Sequence, residues 1–135
     1  MRTPAQTVGP FFSFGLCTSP QNELPGGEVR VLGQVTDAEG APVGDALVEV
    51  WHPDVGFGRC ATDAEGSFSF LIPRCRHVEV MVFARGLLKP VLTRMYFPAE
   101  AGAAEDGTMV ARSEGDELRF DVRLGGDRGT AFFAL

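Results

Sequence analysis

Short runs in which apolar and polar residues alternate cover most of this chain. Val29-Arg30-Val31-Leu32-Gly33-Gln34-Val35 keeps a period of two and ends in Thr36-Asp37-Ala38-Glu39-Gly40, where glycine is available for a positive φ. Leu47-Val48-Glu49-Val50-Trp51 reads as a second strand, and Ser67-Phe68-Ser69-Phe70-Leu71-Ile72 as a third with both phenylalanines on one face. Residues 77–83 and 91–97 continue the series, 118–124 alternate with charge on the outer face, and 130–135 predict a short aromatic terminal strand. No segment sustains a helical period with caps; residues 99–106 have room for one helical turn. Short strands parted by Gly, Pro and Asp turns predict an all-β protein, a β-sandwich. Thr-Asp-Ala-Glu-Gly occurs at 36–40 and again at 62–66, with different flanks, so it reads as one favourable turn used twice. Residues 1–27 lack the strand period and carry Pro4, Pro10, Pro20 and Pro25, which predicts a stiff, extended N-terminal arm before a sandwich domain at 28–135.

Composition narrows this picture. A chain of 135 residues suits one domain that buries roughly two thirds of its unfolded surface. A net charge of -6 argues against general nucleic-acid binding or attachment to an anionic membrane. Much of the acid falls between Glu100 and Glu117 among Ala and Gly, a solvated loop. Cys17, Cys60 and Cys75 are odd in number and lack paired spacing, so they read as small buried hydrophobes in a reducing compartment. No charged start followed by an apolar run appears, and no stretch is long enough to span a bilayer; a cytoplasmic location is expected.

Candidate chemistry gathers at a few positions. Val80-Met81-Val82-Phe83-Ala84-Arg85-Gly86 delivers an arginine at the end of an apolar strand. A buried unpaired cation is costly, so Arg85 either pairs with a carboxylate such as Glu79 or Asp121, or lies at the rim of a site. His52 follows a strand and reads as a turn residue that bonds backbone; His77 reads as a core or rim histidine; Trp51 reads as a core anchor.

Three blocks carry a family resemblance: Gln6-Thr7-Val8-Gly9-Pro10-Phe11-Phe12, the 33–52 strand-turn-strand unit, and Phe83-Ala84-Arg85-Gly86 with Thr93-Arg94-Met95-Tyr96-Phe97. Arg119-Phe120-Asp121-Val122-Arg123-Leu124 and Thr130-Ala131-Phe132-Phe133 follow in order. The chain resembles the intradiol ring-cleavage dioxygenases, which implies their transthyretin-like (prealbumin-like) β-sandwich. Enzymes of that family hold ferric iron with two tyrosinates and two histidines from a His-x-His strand. Hard phenolates suit a ferric ion, and alternate strand positions aim both imidazoles one way. Here that position reads His77-Val78-Glu79. The segments that bear the ligand tyrosines are missing, because Trp51-His52-Pro53-Asp54-Val55-Gly56 runs directly into Phe57, and Ile72-Pro73-Arg74-Cys75-Arg76 leads straight to His77. Tyr96, the single tyrosine, matches a non-ligand position, and Arg74 stands where catalytic members place an arginine beside the iron.

The resemblance therefore implies no iron and no catalytic residue in this chain. It implies a metal-free α-type subunit that completes the pocket of an iron-bearing β-type partner, with Fe(III) in that partner and a small aromatic acid as substrate. Thr7, Gly9, Pro10 and Arg85 match the positions that approach substrate from the α side. The long family loops between residues 51 and 77 are shortened here, which leaves open a second reading, a self-associating binding module that forms a homo-oligomer. A third is a remodelled metal site from His52, His77, Glu79 and Asp54.

Overall fold

In the computed structural model, residues 21–134 are described, and they form two facing sheets. Nine strands follow in chain order: β1 (Val29–Thr36), β2 (Leu47–His52), β3 (Gly56–Ala61), β4 (Ser67–Ile72), β5 (His77–Phe83), β6 (Val91–Tyr96), β7 (Arg112–Glu114), β8 (Glu117–Arg119) and β9 (Val122–Arg123). One sheet runs β4-β1-β8-β7, with β9 also on β1; the other runs β3-β2-β5-β6. Alternation decides which side chains go inside. Val29, Val31 and Val35 of β1, Phe68, Phe70 and Ile72 of β4, and Val78, Val80 and Val82 of β5 meet Val48, Val50 and Met95 in one buried core.

β1 is the hinge of the first sheet. It pairs antiparallel with β4, where Gly33 opposes Phe68, and parallel with β8 and β9 from the far end of the chain. Residues 118–124, expected as one strand, divide at Phe120. The Phe120 amide donates to the Leu32 carbonyl (2.8 Å), and the Asp121 carboxylate accepts from the Gln34 amide (3.0 Å), so a side chain replaces a ladder bond there. Gly33 makes this close crossing possible: a Cβ at that position would stand 2.8 Å from Phe68 Cε2 and nearer still to the Phe120 carbonyl oxygen.

The repeated pentapeptide folds the same way twice. Asp37 Oδ1 accepts from the amides of Glu39 (3.0 Å) and Ala41 (2.9 Å), and Asp63 Oδ1 from those of Glu65 and Ser67 (both 2.9 Å). Gly40 and Gly66 close the turns at φ +88° and +77°. The expected helical turn is a 3-10 helix, Pro98–Ala103. Of the expected terminal strand, the described residues show an antiparallel bridge between Phe133 and Leu92. Residues 21–27 lie on the sandwich, with Leu24 buried and its amide bonded to the Leu71 carbonyl (2.9 Å). No helix among the described residues is long and apolar enough to cross a membrane.

Candidate functional site

The His77-Val78-Glu79 segment lies on β5, where Val78 points into the core and its neighbours point out. Register places His77 opposite Tyr96 and Glu79 opposite Arg94 on β6, with Trp51 of β2 on the other flank of Glu79. Arg94 ties this corner together. Its Nε donates to Glu79 Oε2 (2.8 Å), and its Nη1 to Glu105 Oε2 (3.1 Å) and to the Tyr96 hydroxyl (3.2 Å). The Tyr96 hydroxyl in turn donates to Glu105 Oε1 (2.7 Å), and the His77 ring rests at 4.9 Å from the Tyr96 ring. The hydrogen bond with Tyr96, then that with Glu79, raises the Arg94 pKa; the hydrogen bond from Tyr96 chiefly holds the Glu105 carboxyl below its ordinary range.

These residues do not fit a ferric ion. The chain has one tyrosine and two histidines in all. Its tyrosine hydroxyl is engaged by Glu105 and Arg94, and the carboxylate at the second imidazole position is engaged by Arg94. The remodelled site fails on geometry too. The His52 side chain turns inward, 4 % exposed, with Nε2 at 3.0 Å from the Pro73 carbonyl oxygen and Nδ1 accepting from the Asp54 amide (3.1 Å). Both imidazole nitrogens are committed to backbone, the turn role expected of it. Among the described residues, no three His, Cys, Asp or Glu side chains are grouped to hold a metal ion.

Beside this corner opens a cleft of about 500 Å³, lined by Trp51, Asp54, Cys75, Arg76, His77 and Glu79 among others. Trp51 is 46 % exposed and stacks on Phe57 at 4.7 Å, rather than anchoring the core. Strand parity explains the correction: once Val48 and Val50 turn inward, Trp51 must turn out. Burial, with the negative charge of Asp54 behind it, pushes the Cys75 thiol up to about 11, outweighing the smaller lowering by backbone hydrogen bonding at His77. Cys60 is buried as expected, Cys75 only partly.

Arg85 stands at the other end of the same sheet. It follows β5 in a turn closed by Gly86 (φ +93°) and the Leu87 amide bonded to the Ala84 carbonyl (3.2 Å). Its guanidinium is 58 % exposed and meets Asp45 at 3.3 Å, not Glu79 or Asp121, which pair with Arg94 and Arg119. Leu88, fully exposed, projects beside it. Arg85 stands eight positions after His77, roughly 25 Å along an extended chain. Thr7, Gly9 and Pro10 lie outside the described residues, as does Cys17. Arg74, which matches the family's arginine position beside the iron, is exposed here and paired at 3.8 Å with Glu28.

Sequence reasoning missed the Arg94–Glu105–Tyr96 network and the buried Glu49–Arg59 pair (3.3 Å) across β2 and β3. The signal for the latter was available in part, because a charged residue opposite another on neighbouring strands demands a partner of opposite sign.

No family model matches the chain. Against individual proteins it is 30 % identical to the protocatechuate 3,4-dioxygenase alpha chain of Burkholderia cepacia, over 98 % of this chain and 96 % of the relative. It is 29 % identical to the alpha chain of Pseudomonas putida over 97 % of this chain and 95 % of the relative, and 29 % identical to the Burkholderia cepacia beta chain over 76 % and 58 %. The first alignment spans 190 positions against 135 residues here, so the relative carries segments with no counterpart in this chain. Among solved structures, the dioxygenase domain of a dioxygenase carbohydrate-binding protein fusion from Streptomyces sp. SirexAA-E superposes with a TM-score of 0.61 at 26 % identity, covering 90 % of this chain and 96 % of that one. Catechol 1,2-dioxygenase from Pseudomonas arvilla C-1 shares the fold at a TM-score of 0.59 and 23 % identity, over 82 % and 59 %. With these relatives spanning nearly its whole length, the chain belongs to the intradiol ring-cleavage dioxygenase family, alongside the protocatechuate 3,4-dioxygenase alpha chains.

Proposed function

We propose that this chain is a non-catalytic α-type subunit of an intradiol dioxygenase, lending pocket residues to an iron-bearing β-type partner. The observation that supports this most is the separation of Arg85 from the His77–Glu79 corner by the length of β5. The half-exposed Arg85 side chain, paired with Asp45 at 3.3 Å, lies far from its own chain's metal-strand position, which supports a use toward a neighbouring chain. There it pairs with the carboxylate of an aromatic acid, and Thr7, Gly9 and Pro10 are the further residues offered to that pocket. The partner's Fe(III) supplies the oxygen chemistry, in which both atoms of O₂ enter between the two hydroxyl-bearing ring carbons to give a cis,cis-muconate-type diacid. This chain's share is to bind and orient the acid and to exclude water.

The test is co-expression with an iron-bearing β-type chain. Arg85→Ala is expected to raise KM for a catechol carboxylic acid about tenfold and to leave a neutral catechol unaffected. Ring cleavage that is the same with or without this chain would end the proposal. A second reading, a self-associating module, is favoured by the segments missing relative to the alpha chains. It requires a monodisperse homo-oligomer of the chain alone, which sedimentation reads directly.

A further inference from the structure

The cleft beside β5 has features that the α-subunit role does not use. Trp51 and Phe57 are both large apolar side chains left nearly half exposed, side by side on the surface. Phe57 stacks on Trp51 at 4.7 Å with 24° between the planes, covering one face of the indole. Register puts Phe57 on one flank of Trp51 and Glu79 on the other, so the ring face turned from Phe57 borders the cleft. Asp54, at the tight β2–β3 turn, lines the same cleft and is exposed. Of the other charges there, Glu79 is held by Arg94 at 2.8 Å, and the rim Arg76 is engaged by Glu100 at 3.5 Å. The walls are otherwise largely apolar, through Pro53, Cys75 and the indole. The electron-rich face of an indole attracts a cation within about 6 Å of its centre, and a carboxylate nearby adds charge pairing.

We propose that this cleft binds a small organic cation, an alkylammonium group seated on the open face of Trp51 with Asp54 as its counter-charge. A volume of about 500 Å³ accepts a molecule of one ring and a quaternary nitrogen. The site is independent of Arg85, which lies at the far end of the sheet.

Trp51 is the single tryptophan of the chain, so its emission reports the site without labelling. Benzyltrimethylammonium, benzyl alcohol and benzoate are titrated at constant ionic strength. The cation is expected to give a saturable change with half-saturation in the range of about 1–10 mM, and the neutral and anionic rings to bind at least about fivefold more weakly. Asp54→Asn, at an exposed side chain, is expected to weaken the cation about three- to fivefold and to leave benzyl alcohol unchanged. Equal response to cation and alcohol, preference for benzoate, or an Asp54→Asn variant that binds the cation as tightly as the parent would each overturn the proposal. Circular dichroism of the variant, unchanged from the parent, ties its result to the site and not to unfolding.

Discussion

Gly33→Ala tests how tightly the first sheet is crossed. Gly33 has an ordinary strand φ, so alanine is acceptable to the backbone, and the unfolded chain loses entropy that favours folding by about 0.4–1 kcal/mol. Space forbids it. The new methyl would stand 2.8 Å from Phe68 Cε2 and closer to the ring's Cζ and to the Phe120 carbonyl oxygen, whereas real Cβ atoms essentially never come within 3.0 Å. Backbone oxygen cannot step aside without breaking the Phe120–Leu32 hydrogen bond beside it. Overpacking of this kind costs about 1–3 kcal/mol, and a lost buried hydrogen bond adds about 1 kcal/mol, for a net loss of about 2–3 kcal/mol. Gly115→Ala is the control: φ is +63° but nothing lies within 4 Å, so only backbone strain of about 1 kcal/mol applies. Equilibrium urea unfolding followed by circular dichroism measures both. The denaturant slope is expected to stay constant, with Gly33→Ala clearly the worse. Adding Phe68→Leu to Gly33→Ala is expected to recover part of the loss, because a smaller side chain vacates the space. A Gly33→Ala protein as stable as Gly115→Ala would refute the packing argument outright.

Two further outcomes concern the β5–β6 corner. Tyr96→Phe removes the donor that depresses the Glu105 pKa. A depressed carboxyl contributes stability above its unfolded value, about 4.3, and loses it as pH falls through the folded value; the stability gap between parent and variant is therefore expected at pH 7 and to shrink below about pH 4, read by urea midpoints at both. Cys75, with its thiol near 11, is expected to react with iodoacetamide at pH 8 about a hundredfold more slowly than an unperturbed thiol, measured by peptide mass spectrometry over time, and to accelerate toward pH 11.

Strands whose inner face is uniformly apolar were plain in the sequence, because β1, β4 and β5 each bury every second residue. β3 was not, since Gly-Phe-Gly-Arg-Cys-Ala has no period of two; it is placed by its six-residue pairing with β2, in which Arg59 meets Glu49 across the ladder. The break at Phe120 was hidden for a related reason: Asp121 looks like one more outward polar residue until its carboxylate is found on the Gln34 amide, 87 positions away. The candidate site divides the same way. Loss of the metal donors could be read from residue types alone, and the inward turn of His52 with both nitrogens on backbone matches its expected role. The partnership of Arg94 with Glu105 and Tyr96 could not, because Glu105 arrives from a loop whose acidic composition looks merely solvated.

β1 has a consequence for how the molecule is made. On one side it finds β4 within some forty residues; on the other it waits for β8 and β9, nearly ninety residues later. The two aspartate turns can close in roughly 10–100 ns from local sequence, so corners form long before walls. On the ribosome, where about 5–20 residues are added each second, one edge of β1 stays bare for several seconds until residues 117–123 emerge. An open edge of that kind invites pairing with another nascent chain. Yield during overproduction should therefore depend on residues 117–123, and cutting the chain before residue 123 would leave β1 without its last neighbour.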